Sequence, residues 1–412
     1  MLDRRTLFSA AAGVGAAISS FVTGRKAQAA TNKAVTNKSG ASDIEIRGAR
    51  GRLERLPTLD AEGRDDFLTG FRVWRGDAVL RAATRRANNI VKAHGKDPKK
   101  DLPIDEVKAM FEDDHLIGTE GLMRVYGQRF AHRNFFLSFA DDVDTYLGEM
   151  EAYDNIGPGT LKLNPDMDQP DYTKHEIHMQ PGGYVGNAFA GHIYHYGTNA
   201  FYLARFRENY QDEYHTDLAN NVSLPEDGKV KRILDMGCGI GQLSVALKER
   251  FPDAEIWGVE VGGPMVRYGH MRAVDQGVDV NFVQGLAEAT DFPDNYFDIV
   301  ASFLLHHEIP EQASRDIFAE AHRVLRPGGL YFPQDIYTGG YGGLEGIMNR
   351  KVAGPFSQYQ EWKNHRWNNE VWWYEYKQVD FASDMKRVGF AVNKEDGPNW
   401  DASSYFYGTK KA

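Results

Sequence analysis

The chain has 412 residues, of which 42% are hydrophobic, so it is long enough for two domains, or for one domain with large additions, and has an ample core. Its formal charge of -10 at neutral pH argues against a surface that binds nucleic acid or an anionic membrane. Cys238 is the single cysteine, so no disulfide forms within the chain and cysteine usage does not identify a compartment.

The N-terminus has the pattern of a targeting signal. The pair Arg4-Arg5 is followed by hydrophobic residues, and a moderately apolar run extends over residues 10–22. Ala27-Gln28-Ala29 then has the small-x-small pattern of a cleavage site. We predict a Tat-type signal peptide over residues 1–29, export by the Tat machinery to the periplasm, and no stable membrane span in the mature chain; a basic tail on a cytoplasmic protein is the alternative. Residues 30–58 are polar and small, as in a flexible linker.

A mainly helical region is predicted after the linker. From residue 59 to about 94, and again over Ile104 to Phe111, apolar residues recur at intervals of three and four, which predicts amphipathic helices. The mixture of aromatic residues and glycines over 116–141 predicts a helix–loop–helix. We assign residues 59–229 to a helical cap of substrate-binding type.

The end of this region is rich in histidine and tyrosine. It contains two His-x-x-His pairs, formed by His175 with His178 and by His192 with His195. Imidazoles three residues apart share a helix face and could bind a metal ion. We predict no metal here, because the cysteines or closely spaced carboxylates of common metal sites are absent, and we favour a pocket-lining helix that runs to about Tyr214. A metal-dependent enzyme that uses these four histidines is the less favoured alternative.

A glycine-rich turn dominates the second half of the chain. Apolar residues lead into Asp235, glycines follow at the alternate positions Gly237, Gly239 and Gly241, and a helical pattern comes next. This order predicts a buried parallel strand, a tight turn and a helix. Glycine permits backbone angles that a Cβ forbids, and a helix N-terminus favours an anionic ligand group.

Three more strands are predicted downstream. One ends at Glu260, where a carboxylate at a strand tip can accept both hydroxyls of a ribose. The next, over 278–285, is followed by residues 286–293. A further strand over 296–303 precedes His306 and His307, and the carboxyl ends of parallel strands are where ligands bind.

The C-terminal part predicts a helix over 312–324, a turn at Arg326-Pro327-Gly328-Gly329 and a strand over 330–335. Residues 337–376 form an insertion rich in Gly, Trp and Tyr, which suits an aromatic substrate or a cation–π contact, or else a lid or an oligomer contact. A last helix over 381–388 and two further strands, over 389–392 and 404–408, are then predicted.

These motifs, in this order, resemble the class I S-adenosylmethionine-dependent methyltransferases. Those that carry the resemblance are Asp-x-Gly-x-Gly-x-Gly from Asp235, the acid Glu260, the segment 286–293, Phe297-Asp298-Ile299-Val300 and the Arg-Val-Leu-Arg-Pro-Gly-Gly turn. The resemblance covers about residues 230–410 and is closest to the ubiquinone- and menaquinone-biosynthesis type. It implies an α/β fold for residues 230–412, with a Rossmann-like, mostly parallel sheet and an antiparallel terminal hairpin.

The resemblance also implies a cofactor and a site. The cofactor is S-adenosyl-L-methionine, and the substrate is a small, apolar or aromatic molecule that accepts the methyl group on oxygen, nitrogen or carbon. The implied cofactor-binding residues are Asp235, Gly237, Gly239 and Gly241 for the methionine part, Glu260 for the ribose, Ala287 and Glu288 for the adenine, and Phe303 at its strand end. Leu286 departs from the family, which often has Asp there.

His306 and His307 are the catalytic candidates. Imidazole titrates near neutral pH, so either could act as a general base on the acceptor, and the alternative is that a histidine here braces the loop. A different class of function, a protein that binds S-adenosylmethionine or a nucleotide without turnover, is the main rival.

Overall fold

The fold is described here from a computed structural model, which describes residues 56–205, 210–335, 354–376, 379–395 and 405–411. The predicted signal peptide, residues 30–55 of the predicted linker and residues 337–353 of the predicted insertion lie outside the described residues. Within the described part of the chain, a mainly helical N-terminal region precedes an eight-stranded sheet with helices on both faces.

Seven α-helices form most of the N-terminal region. They are α1 Leu59–Trp74, α2 Arg81–Ala93, α3 Ile104–Phe111, α4 His115–Ala140, α5 Val143–Tyr153, α6 Ala190–Arg205 and α7 Tyr210–Asn221. A π-helical turn, Arg75–Leu80, joins α1 to α2. Short 3-10 turns lie at Asp171–Thr173 and Ile177–Met179. The region is not wholly helical, because Thr160–Lys162 forms the edge strand β1 of the sheet.

The remaining elements alternate strands with helices. They are β2 Arg232–Met236, α8 Gln242–Arg250, β3 Glu255–Glu260, α9 Gly263–Gln276, β4 Asn281–Gln284, β5 Phe297–Phe303, α10 Glu311–Val324, β6 Leu325–Gln334, α11 Pro355–Trp367, α12 Trp373–Tyr376, α13 Phe381–Val388, β7 Phe390–Glu395 and β8 Tyr405–Lys410. A 3-10 turn, His306–Glu308, follows β5.

The sheet confirms the predicted fold class. Its strand order is β1-β4-β3-β2-β5-β6-β8-β7, with every pair parallel except β6–β8 and β8–β7. The order reverses between β2 and β5, and open parallel sheets bind ligands at the carboxyl ends of the strands beside such a switch point. The antiparallel β7–β8 pair is the predicted terminal hairpin.

Alternate residues of the central strands enter two separate cores. One core holds the apolar side chains of α10 and α13 with those of Leu234, Met236, Val300 and Tyr331. The other holds those of α7, α8 and α9 with Ile233, Ile299, Ala301 and Phe332. This alternation is the two-residue period of a strand, and burial on both faces explains why β2 and β5 are almost continuously apolar.

Pro333 fits inside β6 because of where the neighbouring strand ends. Toward β5 it is paired with Ser302, whereas the β6–β8 ladder covers only Leu330 and Tyr331. Its missing N–H therefore costs no hydrogen bond to β8.

Helix α4 corrects the predicted helix–loop–helix, because it runs unbroken for 26 residues. Gly121 and Gly127 lie close to side chains of other helices, whereas Gly118 has open space around it. A Cβ on Gly121 would lie 2.5 Å from Nζ of Lys363 on α11, so glycine lets the two helices approach closely. Asp114 starts the helix, since its carboxylate accepts the N–H groups of Leu116 and Ile117.

The helical region packs against the sheet domain through α6 and α9. Met150, Ala190 and Tyr268 belong to one buried cluster, and a Cβ on Gly191 would lie 2.3 Å from Cβ of Tyr268. Among the described residues, none of the helices combines the length and the apolar character that crossing a membrane requires.

Candidate active site

The turn between β2 and α8 has the left-handed backbone conformation that its glycines predict. Gly237, Gly239 and Gly241 all have positive φ, at 67°, 54° and 72°. A Cβ on Gly241 would also lie 2.4 Å from the ring of Phe282. A side chain at these positions meets both backbone strain and, at Gly241, a steric clash.

Asp235 lies beneath this turn and not in the open crevice. It is buried, and its carboxylate accepts the hydroxyl hydrogen of Ser244 on α8 at 2.7 Å. Burial raises the pKa of Asp235 to about 7. In this placement Asp235 supports the turn, and the glycine backbone lies between it and any ligand above.

Glu260 stands at the tip of β3, facing the glycine turn. One carboxylate oxygen accepts the N–H of Gly239 at 3.1 Å and the other accepts the N–H of Gly262 at 2.9 Å. Burial raises the pKa of Glu260 to about 6. Each carboxylate oxygen has about two acceptor sites, so each retains capacity for one hydroxyl group.

The predicted adenine segment lies beside Glu260. Ala287 is buried, Leu286 and Glu288 are partly buried, and the hydroxyl of Tyr172 donates to the carboxylate of Glu288. Burial and the charge of Glu288 raise the pKa of Tyr172, so this hydroxyl stays protonated. Tyr172 comes from the helical region, which thus covers this end of the crevice.

Phe303 ends β5 but faces α7. Its ring lies 5.1 Å from the rings of both Tyr214 and His215, and it packs against the core on that side of the sheet. None of these neighbours is a predicted cofactor-binding residue, so the predicted contact of Phe303 with a cofactor stays a prediction.

The structure gives His306 and His307 different surroundings. His306 is buried between Phe318 and Phe381, with Nε2 3.1 Å from the hydroxyl of Tyr331. Burial lowers the pKa of His306 to about 4, so its ring is neutral at physiological pH. These contacts are those of a side chain that braces the loop after β5.

His307 is paired with Asp335 at the end of β6. Its Nδ1 lies 2.6 Å from the buried carboxylate of Asp335, and its Nε2 lies 3.8 Å from the carboxylate of Glu308. Burial lowers the pKa of His307, but the charge and hydrogen bond of Asp335 outweigh it and raise the value to about 9. Near neutral pH the ring is therefore protonated and donates rather than accepts a proton.

The four histidines of the predicted alternative metal site do not meet. His175 Nδ1 bonds the carbonyl of Tyr172, His195 Nδ1 lies 2.8 Å from the hydroxyl of Tyr268, and His192 packs between aromatic rings. His178 alone reaches the β5 end, where its Nε2 lies 2.9 Å from Glu308. The histidines are held on separate elements, because His178 lies in a 3-10 turn whereas His192 and His195 lie on α6.

Several side chains at this site were missed by the sequence reasoning. Tyr184 donates to Glu308 at 3.2 Å, and Glu370 lies 3.2 Å from Nδ1 of His178. Tyr172, which donates to Glu288, and Asp335, which is paired with His307, were also missed. Of these residues, Asp335 had a local signal, because it ends a predicted strand at the ligand-binding edge; the others lie in irregular segments that have no periodic pattern.

Comparison with known proteins agrees with this geometry. Residues 233–329 match the family described as a methyltransferase domain. The match begins in β2 and ends within β6, so it contains the glycine turn, Glu260 and His307.

Curated relatives align over the same part of the chain. The demethylmenaquinone methyltransferase of Thermus thermophilus is 36% identical over 116 residues, which are 27% of this chain and 52% of the relative. The ubiquinone/menaquinone biosynthesis C-methyltransferase of Paraburkholderia phymatum is 37% identical over 100 residues, 24% of this chain and 40% of the relative. The chain thus spans about half or less of the length of these relatives.

Solved structures are similar to about half of the chain. The crystal structure of a putative S-adenosyl-L-methionine-dependent methyltransferase from Methanococcus maripaludis is 20% identical, with a TM-score of 0.35. The likeness covers 49% of this chain and 91% of that one.

The residues present fit a bound sulfonium nucleoside. Glu260 retains acceptor capacity for two hydroxyls, and the left-handed glycines bring bare backbone to the crevice. The backbone of Ala287 and the partly buried Leu286 offer polar and apolar contacts for a purine.

Proposed function

We propose that this protein is an S-adenosylmethionine-dependent methyltransferase that acts on a small molecule. The observation that carries the proposal is Glu260, a buried carboxylate at the β3 tip that faces a turn of three left-handed glycines. The methyltransferase-domain match over 233–329 supports the same activity. The relatives named for menaquinone and ubiquinone biosynthesis favour an apolar or aromatic acceptor.

Each part of the crevice has a task in this proposal. When bound, S-adenosylmethionine supplies an electrophilic methyl group, whose carbon–sulfur bond breaks with the electron pair remaining on sulfur. Glu260 accepts the ribose hydroxyls, Leu286 and Ala287 contact the adenine, and the glycine backbone holds the methionine part. The chain contributes mainly proximity and orientation, which are worth about 7–11 kcal/mol of the barrier when geometry is near ideal.

His307 is the side chain placed to meet an acceptor. It follows β5 at the carboxyl edge of the sheet, and Trp373 and Tyr376 lie 5.7 and 5.9 Å from its ring. Without a bound metal ion the ring is protonated near neutral pH, and it orients an electron-rich or already ionised acceptor by donating a hydrogen bond. His306 positions this loop from below.

An activity measurement tests the function and this assignment together. Purified protein is incubated with methyl-labelled S-adenosylmethionine and a panel of quinols, phenols and amines, and both labelled product and S-adenosylhomocysteine are quantified. We expect turnover with at least one acceptor and a loss of about a hundredfold in kcat for His307→Ala, within the usual effect of a positioned proton donor. Binding without any product would support the non-catalytic rival.

We also propose that the chain is exported by the Tat route, with Arg4-Arg5 as the recognition pair and cleavage after Ala29. Replacing both arginines with lysine should leave the full-length form in the cytoplasm, whereas the wild-type chain is shortened and periplasmic. Cell fractionation and mass spectrometry of the N-terminus measure this. Identical distribution of the two forms would contradict export.

A further inference from the structure

A group of ionisable side chains at the carboxyl end of β5 is larger than the proposed methyl transfer requires. His178, His307 and Glu308 each offer one ligand atom, and these atoms all lie within 4.8 Å of one another. His178 comes from the helical region, whereas the other two follow β5, so the group forms only in the folded chain.

The spacing of the three atoms suits a metal ion. Glu308 Oε1 lies 2.9 Å from Nε2 of His178 and 3.8 Å from Nε2 of His307. Ligands about 2.0–2.1 Å from a tetrahedral zinc ion are separated by about 3.3 Å, which lies between these two distances. Two imidazoles and one carboxylate are also a common donor set for a metal that keeps a position open for substrate.

Both imidazoles are held as metal-binding histidines usually are. Nδ1 of His307 lies 2.6 Å from Asp335, and Nδ1 of His178 lies 3.2 Å from Glu370 and 2.9 Å from the side-chain amide nitrogen of Asn368. A carboxylate on Nδ1 fixes the ring orientation and leaves Nε2 for the ion. Asp335 and Glu370 are both buried, so the two rings have little freedom to turn away.

The group is rich in carboxylates. Glu308, Glu370 and Asp335 bring three carboxylates to two imidazoles, at 2.9, 3.2 and 2.6 Å. Buried carboxylates are costly unless a cation or hydrogen bonds compensate them.

The backbone at His178 is strained, with φ of 53°, and Met179 follows with φ of 58°. Non-glycine residues in this region cost of order 1–3 kcal/mol and persist where the surroundings enforce them. The carbonyl of His178 accepts a hydrogen bond from Gln128 at 2.8 Å, which helps hold this conformation and keeps the ring directed at Glu308.

We propose that His178, His307 and Glu308 bind a divalent first-row transition-metal ion, of which Zn²⁺ is the type. In a step that rests on the proposed function, the ion holds the acceptor's oxygen as an oxyanion while the proton leaves to water, and the oxyanion's electron pair forms the bond to the methyl carbon. The metal site itself does not depend on that step.

Metal binding is tested on the full chain after removal of any affinity tag. Protein stripped by a chelator is titrated with Zn²⁺ by calorimetry and with Co²⁺ by visible absorption, whose ligand-field bands report nitrogen and oxygen donors. We expect one ion per chain, and a loss of more than about a hundredfold in affinity for Glu308→Gln and for His178→Gln. His175→Gln is the matched control, because its ring bonds the Tyr172 carbonyl instead.

S-adenosylhomocysteine binding to the same samples separates this proposal from the previous one. Both variants should bind S-adenosylhomocysteine, which demonstrates that they are folded. Wild-type protein that binds the nucleoside but takes up no stoichiometric ion, or variants that bind the ion as well as wild type does, would overturn the metal site and leave the methyltransferase proposal intact. Ion uptake without nucleoside binding would support the metal site and contradict the methyltransferase proposal.

Discussion

Replacing Glu260 with alanine should weaken S-adenosylhomocysteine binding by about a hundredfold or more. The carboxylate is the proposed acceptor of two ribose hydroxyls, and hydrogen bonds to a charged group contribute about 1.5–3 kcal/mol each. The substitution also leaves the N–H groups of Gly239 and Gly262 without their present acceptor. Isothermal titration calorimetry on wild-type and Glu260→Ala protein measures the effect.

Glu255→Gln is the matched control, because this carboxylate lies at the opposite end of β3 and is 40% exposed. The affinity of Glu255→Gln for S-adenosylhomocysteine should equal that of wild type.

The binding of S-adenosylhomocysteine should also depend on pH. The pKa of Glu260 is raised to about 6, so affinity should fall as the pH is lowered through 6 and the carboxylate is protonated. Unchanged affinity in Glu260→Ala and no fall at acid pH would remove Glu260 from the site.

Replacing Asp212 with alanine should lower the free energy of unfolding by about 3–5 kcal/mol, since it removes one partner of a buried ion pair. Arg272 and Asp212 are separated by 2.9 Å, with side chains 1% and 8% exposed. Gln242, the first residue of α8, also donates to Asp212 at 3.2 Å. The pair therefore joins α7, α9 and the helix that follows the glycine turn. Urea unfolding followed by circular dichroism measures the loss.

Asp253→Ala is the control for Asp212, because it removes an exposed carboxylate from the turn that follows α8. Its effect should stay within about 0.5 kcal/mol. The double variant Asp212→Leu/Arg272→Met should recover much of the lost stability, since an apolar pair leaves no uncompensated charge. A single Asp212→Ala variant as stable as wild type would show that the pair is not needed.

The helical region shows where sequence patterns are reliable. Helix α3 was predicted with both its ends, because its apolar positions have a clear helical period. Helix α4 was predicted as two helices, because glycine ordinarily interrupts a helix. The reason for Gly121 lies in Lys363, far along the chain, and no local pattern contains it.

Local sequence patterns were enough to predict the strand, glycine turn and helix around Asp235 and the acid at the tip of β3. These features depend on short-range rules: residue alternation in strands, and backbone angles that only glycine adopts easily. Asp235 shows the limit, because its position was predicted correctly but its partner is Ser244 beneath the turn.

The roles of the histidines could be inferred only from the folded structure. His306 and His307 are adjacent, yet one enters the core between two phenylalanines and the other pairs with Asp335 on the neighbouring strand. His178 meets Glu308 across 130 residues of chain. The chemistry of an imidazole depends on the charges and the burial around it, and here long-range packing brings those charges together.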